Sequence, residues 1–256
     1  MDDLPNEVLL RIFGFLNIKE LLSCQVSKRL QTIANDQSLW IKLQLYRRKV
    51  PYDFIKKAAV NGCQYLSLVF CDIIGLTGSE PSFMFKYLTI RSQLSQGGVM
   101  RPELMKLVQN CSSLQKLSLV GLRLNSDDIQ SICQNGQTLQ VLNLSNTNFD
   151  VHPELVKYLL SNCAHLTEIN ISMAGSFSLQ HIQAFVEHLT PTILKVGICD
   201  IRNLQDEHVT SLVKRCNNIT HLELSFALNT IYSAHSIIEH LKASLEELSV
   251  FKFKAM

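Results

Sequence analysis

A leucine-rich motif that returns about every 26 residues places the strongest constraint on how this chain folds. Six copies of Leu-x-x-Leu-x-Leu, with Ile or Val at some positions, begin at residues 114, 139, 166, 193, 219 and 245. Two looser copies begin at Cys63 and Phe85. In each motif one residue separates the last two apolar positions, so apolar and other side chains alternate there. This alternation is typical of a strand with one buried face, and we therefore predict about eight short strands.

The segments between these motifs carry the signals of short helices. Pro153, for example, opens an apolar pattern that includes Val156 and Leu160, and proline suits the first turn of a helix. One strand and one helix cannot bury their apolar faces alone, so successive units must stack. The sequence therefore predicts an α/β fold, in which a right-handed solenoid of about eight parallel strands carries its helices on the outside.

Three of the eight cysteines share one place in the repeat. Cys111, Cys163 and Cys216 each stand three residues before a strand motif, and we interpret them as small buried packing residues. The sequence has no Cys-x-x-Cys and no paired Cys/His spacing, which argues against a zinc site or a RING-type metal domain. We predict no metal and no other cofactor. We expect reduced thiols, since the first residues do not read as a secretory signal.

The first 45 residues are helical in pattern and differ from the repeats. Pro5 stands where a helix would begin, and Val8, Ile12 and Leu16 follow at helical spacing. Trp40, the only tryptophan, closes the segment. A module of about forty residues buries too little surface to be stable alone. The rich supply of apolar residues therefore indicates three helices that also contact a partner.

Four short motifs follow one another in this segment: Leu4-Pro5, Leu21-Leu22, Lys28-Arg29-Leu30 and Leu39-Trp40. In this order they resemble the F-box, a helical module that docks onto the Skp-type adaptor of cullin–RING ubiquitin ligases. The resemblance implies an F-box over residues 1–45, a linker helix region over 46–62 and the solenoid over 63–256. The predicted adaptor-binding residues are Leu4, Pro5, Val8, Ile12, Leu16, Leu21, Leu22 and Trp40.

The repeats resemble the cysteine-containing leucine-rich repeat, so the whole chain is similar to F-box/leucine-rich-repeat proteins. This implies a non-catalytic substrate-recognition subunit of an SCF-type (Skp–cullin–F-box) ligase, joined to the cullin–RING scaffold through the adaptor, in the nucleus, the cytoplasm or both. Relatives recruit phosphorylated cell-cycle regulators, often with a small Cks accessory protein. Met173 and Phe226 stand where the relatives' accessory contacts have an aromatic and an acid, which counts against a Cks protein here. Whether the substrate must be phosphorylated stays open.

The residues between the apolar positions of each strand point away from the core and would line the concave face of the solenoid. Eight strands spaced about 4.8 Å apart give an arc of roughly 35 Å, which is long enough for a protein surface. The predicted substrate-binding residues are Tyr87, Arg91, Lys116, Asn143, Glu168, Asn170, Lys195, His221 and Glu223. We also expect an open C-terminal end, because Leu245, Leu248, Val250, Phe251 and Phe253 provide no polar cap.

Two other classes of function stay open. A leucine-rich-repeat scaffold or inhibitor would bind a protein partner without ligase coupling. An enzyme would need a catalytic motif, and the sequence has no Gly-x-Ser-x-Gly and no Gly-rich phosphate loop, although composition leaves open a thioester-forming cysteine. A net charge of +2 without a large basic cluster gives no case for nucleic acid. No run of eighteen apolar residues is present, so we predict no membrane span.

Overall fold

The computed structural model describes residues 4–75, 82–92, 102–225 and 230–251. The chain begins with four short helices, α1 (Asn6–Phe13), α2 (Ile18–Ser23), α3 (Lys28–Ala34) and α4 (Gln37–Trp40). Polar side chains start three of them. Asn17 accepts the N–H groups of Lys19 and Glu20 at 3.0 and 3.2 Å, and the Glu20 carboxylate accepts the N–H of Asn17 at 2.8 Å. This reciprocal cap satisfies donors that the first turn would otherwise leave unpaired.

A parallel sheet of nine strands forms the body of the molecule. In spatial order its strands are β1 (Lys42–Tyr46), β3 (Tyr65–Val69), β5 (Tyr87–Arg91), β6 (Lys116–Val120), β8 (Val141–Asn143), β10 (Glu168–Asn170), β11 (Lys195–Gly197), β12 (His221–Ser225) and β13 (Glu247–Phe251). The spatial order follows the chain order, as stacked repeats require. Two small sheets, β2 (Lys49–Pro51) with β4 (Asp72–Ile74) and β7 (Arg123–Leu124) with β9 (Asn148–Phe149), continue the stacking beside it.

One helix separates most consecutive strands of the large sheet. These helices are α5 (Tyr52–Val60), α6 (Pro102–Gln109), α7 (Ser126–Cys133), α8 (Pro153–Asn162), α9 (Leu179–His188), α10 (Asp206–Arg215) and α11 (Thr230–Leu241). The apolar faces of the helices meet the apolar face of the sheet in one continuous core. The predicted α/β repeat architecture is therefore confirmed. No helix among the described residues combines the length and the apolar character needed to cross a membrane.

The large sheet, as far as the structure describes it, contains one more strand than the eight that the sequence predicted. The additional strand, β1, pairs in parallel with β3, and its Leu43 and Leu45 side chains are buried in the common core. It spans the predicted boundary between the N-terminal helices and the linker. The predicted linker helix region contains β2 as well as α5. Trp40 replaces the first leucine of the motif, which hid this copy from a search for Leu-x-x-Leu-x-Leu.

The predicted packing role of the repeat cysteines agrees with their burial. Cys111, Cys163 and Cys216 are buried free thiols. Burial disfavours the thiolate and raises the pKa of Cys111 to about 12 and that of Cys216 to about 11. At neutral pH these thiols are therefore protonated and act as apolar filling between the repeats.

At the C-terminal end, β13 has only β12 as a neighbour within the described part of the chain. Leu248 and Val250 face the side that is buried in other strands, yet they are 44% and 41% exposed. Phe253 and the side chain of Phe251 lie outside the described residues. The open end expected from the sequence stays a prediction.

Candidate functional site

Helix α1 has apolar residues on two faces, and only one of them is used inside the molecule. Leu9 and Phe13 are buried against the other N-terminal helices. On a neighbouring face, about 100° around the helix, Val8 and Ile12 are 40% and 42% exposed, and Leu4, just before the helix, is 38% exposed. Phe15, just after the helix, is 91% exposed. We call these four exposed residues the α1 stripe.

The residues predicted to bind the adaptor divide into three groups by burial. Leu4, Pro5, Val8 and Ile12 are exposed, whereas Leu16 and Leu22 are half-buried. Leu21 and Trp40 are 2% and 0% exposed, so neither side chain offers an accessible surface for direct docking. Both instead stabilise the helices from within. Adaptor contact by the other six stays a prediction. Phe15 was not predicted, although it follows Val8 and Ile12 at the i+7 and i+3 spacing of one helix face.

Trp40 joins the N-terminal helices to the solenoid. Its indole N–H donates to the carbonyl of Ala34 at 2.7 Å. Its ring lies 6.1 Å from that of Phe54 on α5, and the Lys57 ammonium group lies 5.7 Å from the ring centre. Lys57 also donates to Gln25 at 3.4 Å. These contacts tie the N-terminal helices to the first repeat of the solenoid.

The register of the large sheet places all nine predicted substrate-binding residues on one face. Three rows of side chains run across the strands, and the first continues from Lys42 through Tyr65, Tyr87 and Lys116 to the later repeats. The residues brought together are Tyr87, Arg91, Lys116, Asn143, Glu168, Asn170, Lys195, His221 and Glu223. Lys42, Gln44 and Tyr46 also lie on this face, and they were not predicted because β1 follows a motif copy that begins with Trp40 instead of leucine. A role of this face in substrate binding stays a prediction.

The C-terminal part of this face contains an open depression, lined by side chains of β10 to β13. Asn170 donates to the Glu223 carboxylate at 3.4 Å, across the position of Gly197. A Cβ atom at Gly197 would lie 2.5 Å from the Asn170 Nδ2 atom, so only glycine permits this reach. Beside them, the His221 imidazole lies 3.8 Å from a Glu247 carboxylate oxygen. Carboxylates therefore dominate this end.

The N-terminal part of the face is aromatic and cationic. The rings of Tyr65 and Tyr87 stack in parallel with their centres 4.2 Å apart. The Lys116 ammonium group lies 5.5 Å from the centre of Tyr87. A hydrogen bond with Tyr87 is the main cause that raises the pKa of Tyr65, so its phenol keeps its proton at neutral pH. The arrangement presents hydrogen-bond donors and positive charge.

Comparison with known families assigns both parts of the chain. Residues 81–254, more than half of the sequence, match the family described as the SKP2 LRR domain. The chain belongs to this family. Residues 1–46 match the F-box-like family. The resemblance to F-box/leucine-rich-repeat proteins, and to S-phase kinase-associated protein two among them, is therefore confirmed. F-box and leucine-rich-repeat domains are binding domains rather than catalytic ones as a rule.

One solved structure shares the fold at low sequence identity, and two others align less closely. A chain of the yeast Rad7–Elc1 complex aligns with a TM-score of 0.50 and 13% identity, over 96% of this chain and 54% of that one. This chain thus spans about half of that relative. An internalin from Listeria monocytogenes aligns with a TM-score of 0.38 and 14% identity, over 78% of this chain and 70% of its own. A tropomodulin C-terminal domain from Caenorhabditis elegans gives 0.32 and 18%, over 44% and 71%.

Met173, one of the two positions that counted against a Cks protein, is 44% exposed. It follows β10 with a positive φ of 61°. Arg47, Phe70, Asn146 and Asp200 adopt a similar left-handed conformation where other strands end, so this backbone conformation recurs with the repeat. Phe226, the second position, lies outside the described residues. Among the described residues no group of three or more His, Cys, Asp or Glu side chains is arranged to hold a metal ion.

Proposed function

We propose that this chain is the substrate-recognition subunit of an SCF-type ubiquitin ligase. In this proposal the α1 stripe docks onto a Skp-type adaptor, the adaptor connects the chain to a cullin–RING scaffold, and the concave face binds a protein substrate. The chain itself transfers no ubiquitin. The observation that carries the proposal is the exposed α1 stripe on a segment that matches the F-box-like family.

The stripe supports adaptor docking because the rest of the described chain leaves its apolar side chains exposed. A 91%-exposed phenylalanine beside three partly exposed aliphatic side chains is apolar surface that water contacts unfavourably. Exposed apolar residues grouped in this way mark interaction sites. A helix of an adaptor that covered Phe15, Ile12 and Val8 together would remove this surface from water.

The sheet supports a receptor role through its shape and chemistry. Nine strands present three rows of polar and aromatic side chains on one face, while the opposite face forms the core. Loosely arranged polar side chains along an extended surface suit a protein segment better than a small molecule, which binds in enclosed apolar pockets. The repeats would thus recognise a protein, and the N-terminal helices would deliver it to the ligase.

Co-purification with a Skp-type adaptor tests this function. We expect the full chain, co-expressed with the adaptor, to form a stable one-to-one complex, and Phe15→Ala to weaken it about tenfold or more, since full burial of a phenylalanine contributes roughly 1.5–3 kcal/mol. Val60→Ala is the matched control, because Val60 is 82% exposed on α5, outside the stripe. This control should bind like the unchanged chain.

The same experiment separates the proposal from its alternatives. A chain that stays soluble and monodisperse but binds no Skp-type adaptor would be a scaffold or inhibitor without ligase coupling. In a reconstituted reaction, ubiquitin chains should form only when the cullin–RING partner is present. A thioester between ubiquitin and a cysteine of this chain would instead identify an enzyme.

A further inference from the structure

Charge is distributed unevenly along the concave face. None of the concave-facing residues of β1, β3, β5 and β6 is acidic. On β10 to β13 the acidic residues Glu168, Glu223 and Glu247 outnumber the one lysine, Lys195. The first four strands carry a group of two tyrosines and three cations, which we call the basic–aromatic patch. Its residues are Lys42, Tyr65, Tyr87, Arg91 and Lys116.

The cations of the patch are accessible. Lys42, Arg91 and Lys116 are exposed, and within the described part of the chain none of the three forms an ion pair with a carboxylate. The Lys116 ammonium group lies over the ring of Tyr87 in the first row. Near the end of β1, the Arg47 guanidinium group lies 5.2 Å from the centre of the Tyr46 ring. Positive charge is thus held in place on aromatic surfaces without being neutralised.

The patch and the acidic strands set opposite requirements on one bound partner. Five strand steps separate β5 from β12, which is roughly 24 Å at 4.8 Å per step and equals about seven extended residues. A uniformly anionic polymer such as nucleic acid would be attracted by Arg91 and Lys116 but repelled by Glu223. A protein segment that is acidic only over the patch would be attracted by Arg91 and Lys116 and would not be repelled by Glu223.

We propose that the basic–aromatic patch binds an acidic segment of the protein partner, whose carboxylates face Arg91 and Lys116 and accept hydrogen bonds from the tyrosine hydroxyls. The partner then continues toward β12 without further acidic residues. This inference rests on the proposed receptor function and adds the chemistry of the segment that is recognised. It also assigns contacts to Lys42 and Tyr65.

Binding of labelled peptides to the full chain, measured with and without a bound Skp-type adaptor, tests the inference. The probes are a fluorescein-labelled peptide with a block of glutamates, a matched peptide with glutamines, and one with phosphoserines. Fluorescence anisotropy at low and at high salt gives their affinities. We expect the glutamate peptide to bind more tightly than the glutamine peptide, and the difference to shrink as salt screens the exposed charges.

Single charge removals locate the binding. Arg91→Gln and Lys116→Gln should each weaken the glutamate peptide about two- to fivefold, as expected for one exposed ion pair. Lys214→Gln removes an equally exposed lysine from the outer helix α10 and should change nothing. A phosphoserine peptide with the same sensitivity to the two variants would support the same anion-binding chemistry.

Several results would overturn the inference. Equal affinity for glutamate and glutamine peptides would do so, as would binding of the phosphoserine peptide alone or a stronger preference for single-stranded DNA. Equal weakening by Lys214→Gln would show attraction by net charge without a site. Adaptor co-purification does not involve the patch, so these failures would leave the receptor function standing. Loss of adaptor binding with normal peptide binding would do the reverse.

Discussion

Replacing Trp40 by alanine should destabilise the fold rather than remove an adaptor contact. The side chain is fully buried, and it connects the N-terminal helices with α5. Truncating a buried tryptophan costs about 3–5 kcal/mol through lost burial and the cavity left behind. The carbonyl of Ala34 also loses its 2.7 Å hydrogen bond, which adds roughly 0.5–1.5 kcal/mol. A total of about 3.5–6.5 kcal/mol is a large part of the roughly 5–15 kcal/mol that stabilises most folded domains.

Urea unfolding followed by far-ultraviolet circular dichroism measures this loss. Fluorescence is unsuitable, because the variant lacks the only tryptophan of the chain. The free energy of unfolding of Trp40→Phe should lie between those of the unchanged chain and of Trp40→Ala. Phenylalanine keeps an aromatic ring in the core, but it loses the hydrogen bond and part of the volume. Phe15→Ala is the opposite control. It should change the free energy of unfolding by less than about 0.5 kcal/mol, because the side chain is exposed, and yet weaken adaptor binding.

One pattern of results would refute this reasoning. If Trp40→Ala left the unfolding midpoint unchanged and abolished adaptor binding, Trp40 would contact the adaptor directly, as the sequence first suggested. If Phe15→Ala lowered stability as much as Trp40→Ala, the α1 stripe would be part of the internal core. The two variants thus separate a residue that maintains the binding module from a residue that forms its surface.

Three further changes have expected outcomes. Gly197→Ala should lower the free energy of unfolding, measured by urea titration, by roughly 1 kcal/mol, because its Cβ atom would press on Asn170. Gly175→Ala is the control. A Cβ atom there would meet no atom closer than 3.9 Å, so this change should be near neutral in the same titration. Burial lowers the pKa of His208 below 6.5, so stability should decline as pH falls below 6.5, where the unfolded chain takes up the proton more readily. His208→Gln should reduce that decline in thermal unfolding measured across this pH range. Cys111, whose pKa is about 12, should react with a thiol reagent in the unfolded chain but very slowly in the folded one.

The strand register was predictable from the sequence for a physical reason. Side chains alternate strictly along a strand, so fixing the core positions Leu117 and Leu119 also fixes Lys116 and Ser118 on the other face. The repeat period then aligns each strand with the next, because parallel neighbours in a solenoid occupy equivalent places. Tyr87 and Lys116 could therefore be placed side by side from the motif spacing.

The accessible surface of α1 was not predictable in the same way. Val8, Leu9, Ile12 and Phe13 are all apolar, and helical periodicity alone does not tell which pair faces the neighbouring helices. The packing of α1 against α3 decides it, and α3 contributes the buried Leu30. Such choices depend on contacts between segments that the sequence pattern does not specify. The same limit explains why Leu21 and Trp40 were assigned to the surface.

Trp40 shows how the two parts of the chain become one structure. Trp40-x-x-Leu43-x-Leu45 has the spacing of the repeat motif and begins 23 residues before the copy at Cys63. Trp40 therefore occupies the place that Leu114 holds in its own repeat, while its ring also closes the N-terminal helices. This one buried side chain packs against both the N-terminal helices and the first repeat, and α4 therefore leads into β1 without a flexible linker between them. The position of the α1 stripe relative to the concave face is thus set by packing, as the proposed receptor function requires.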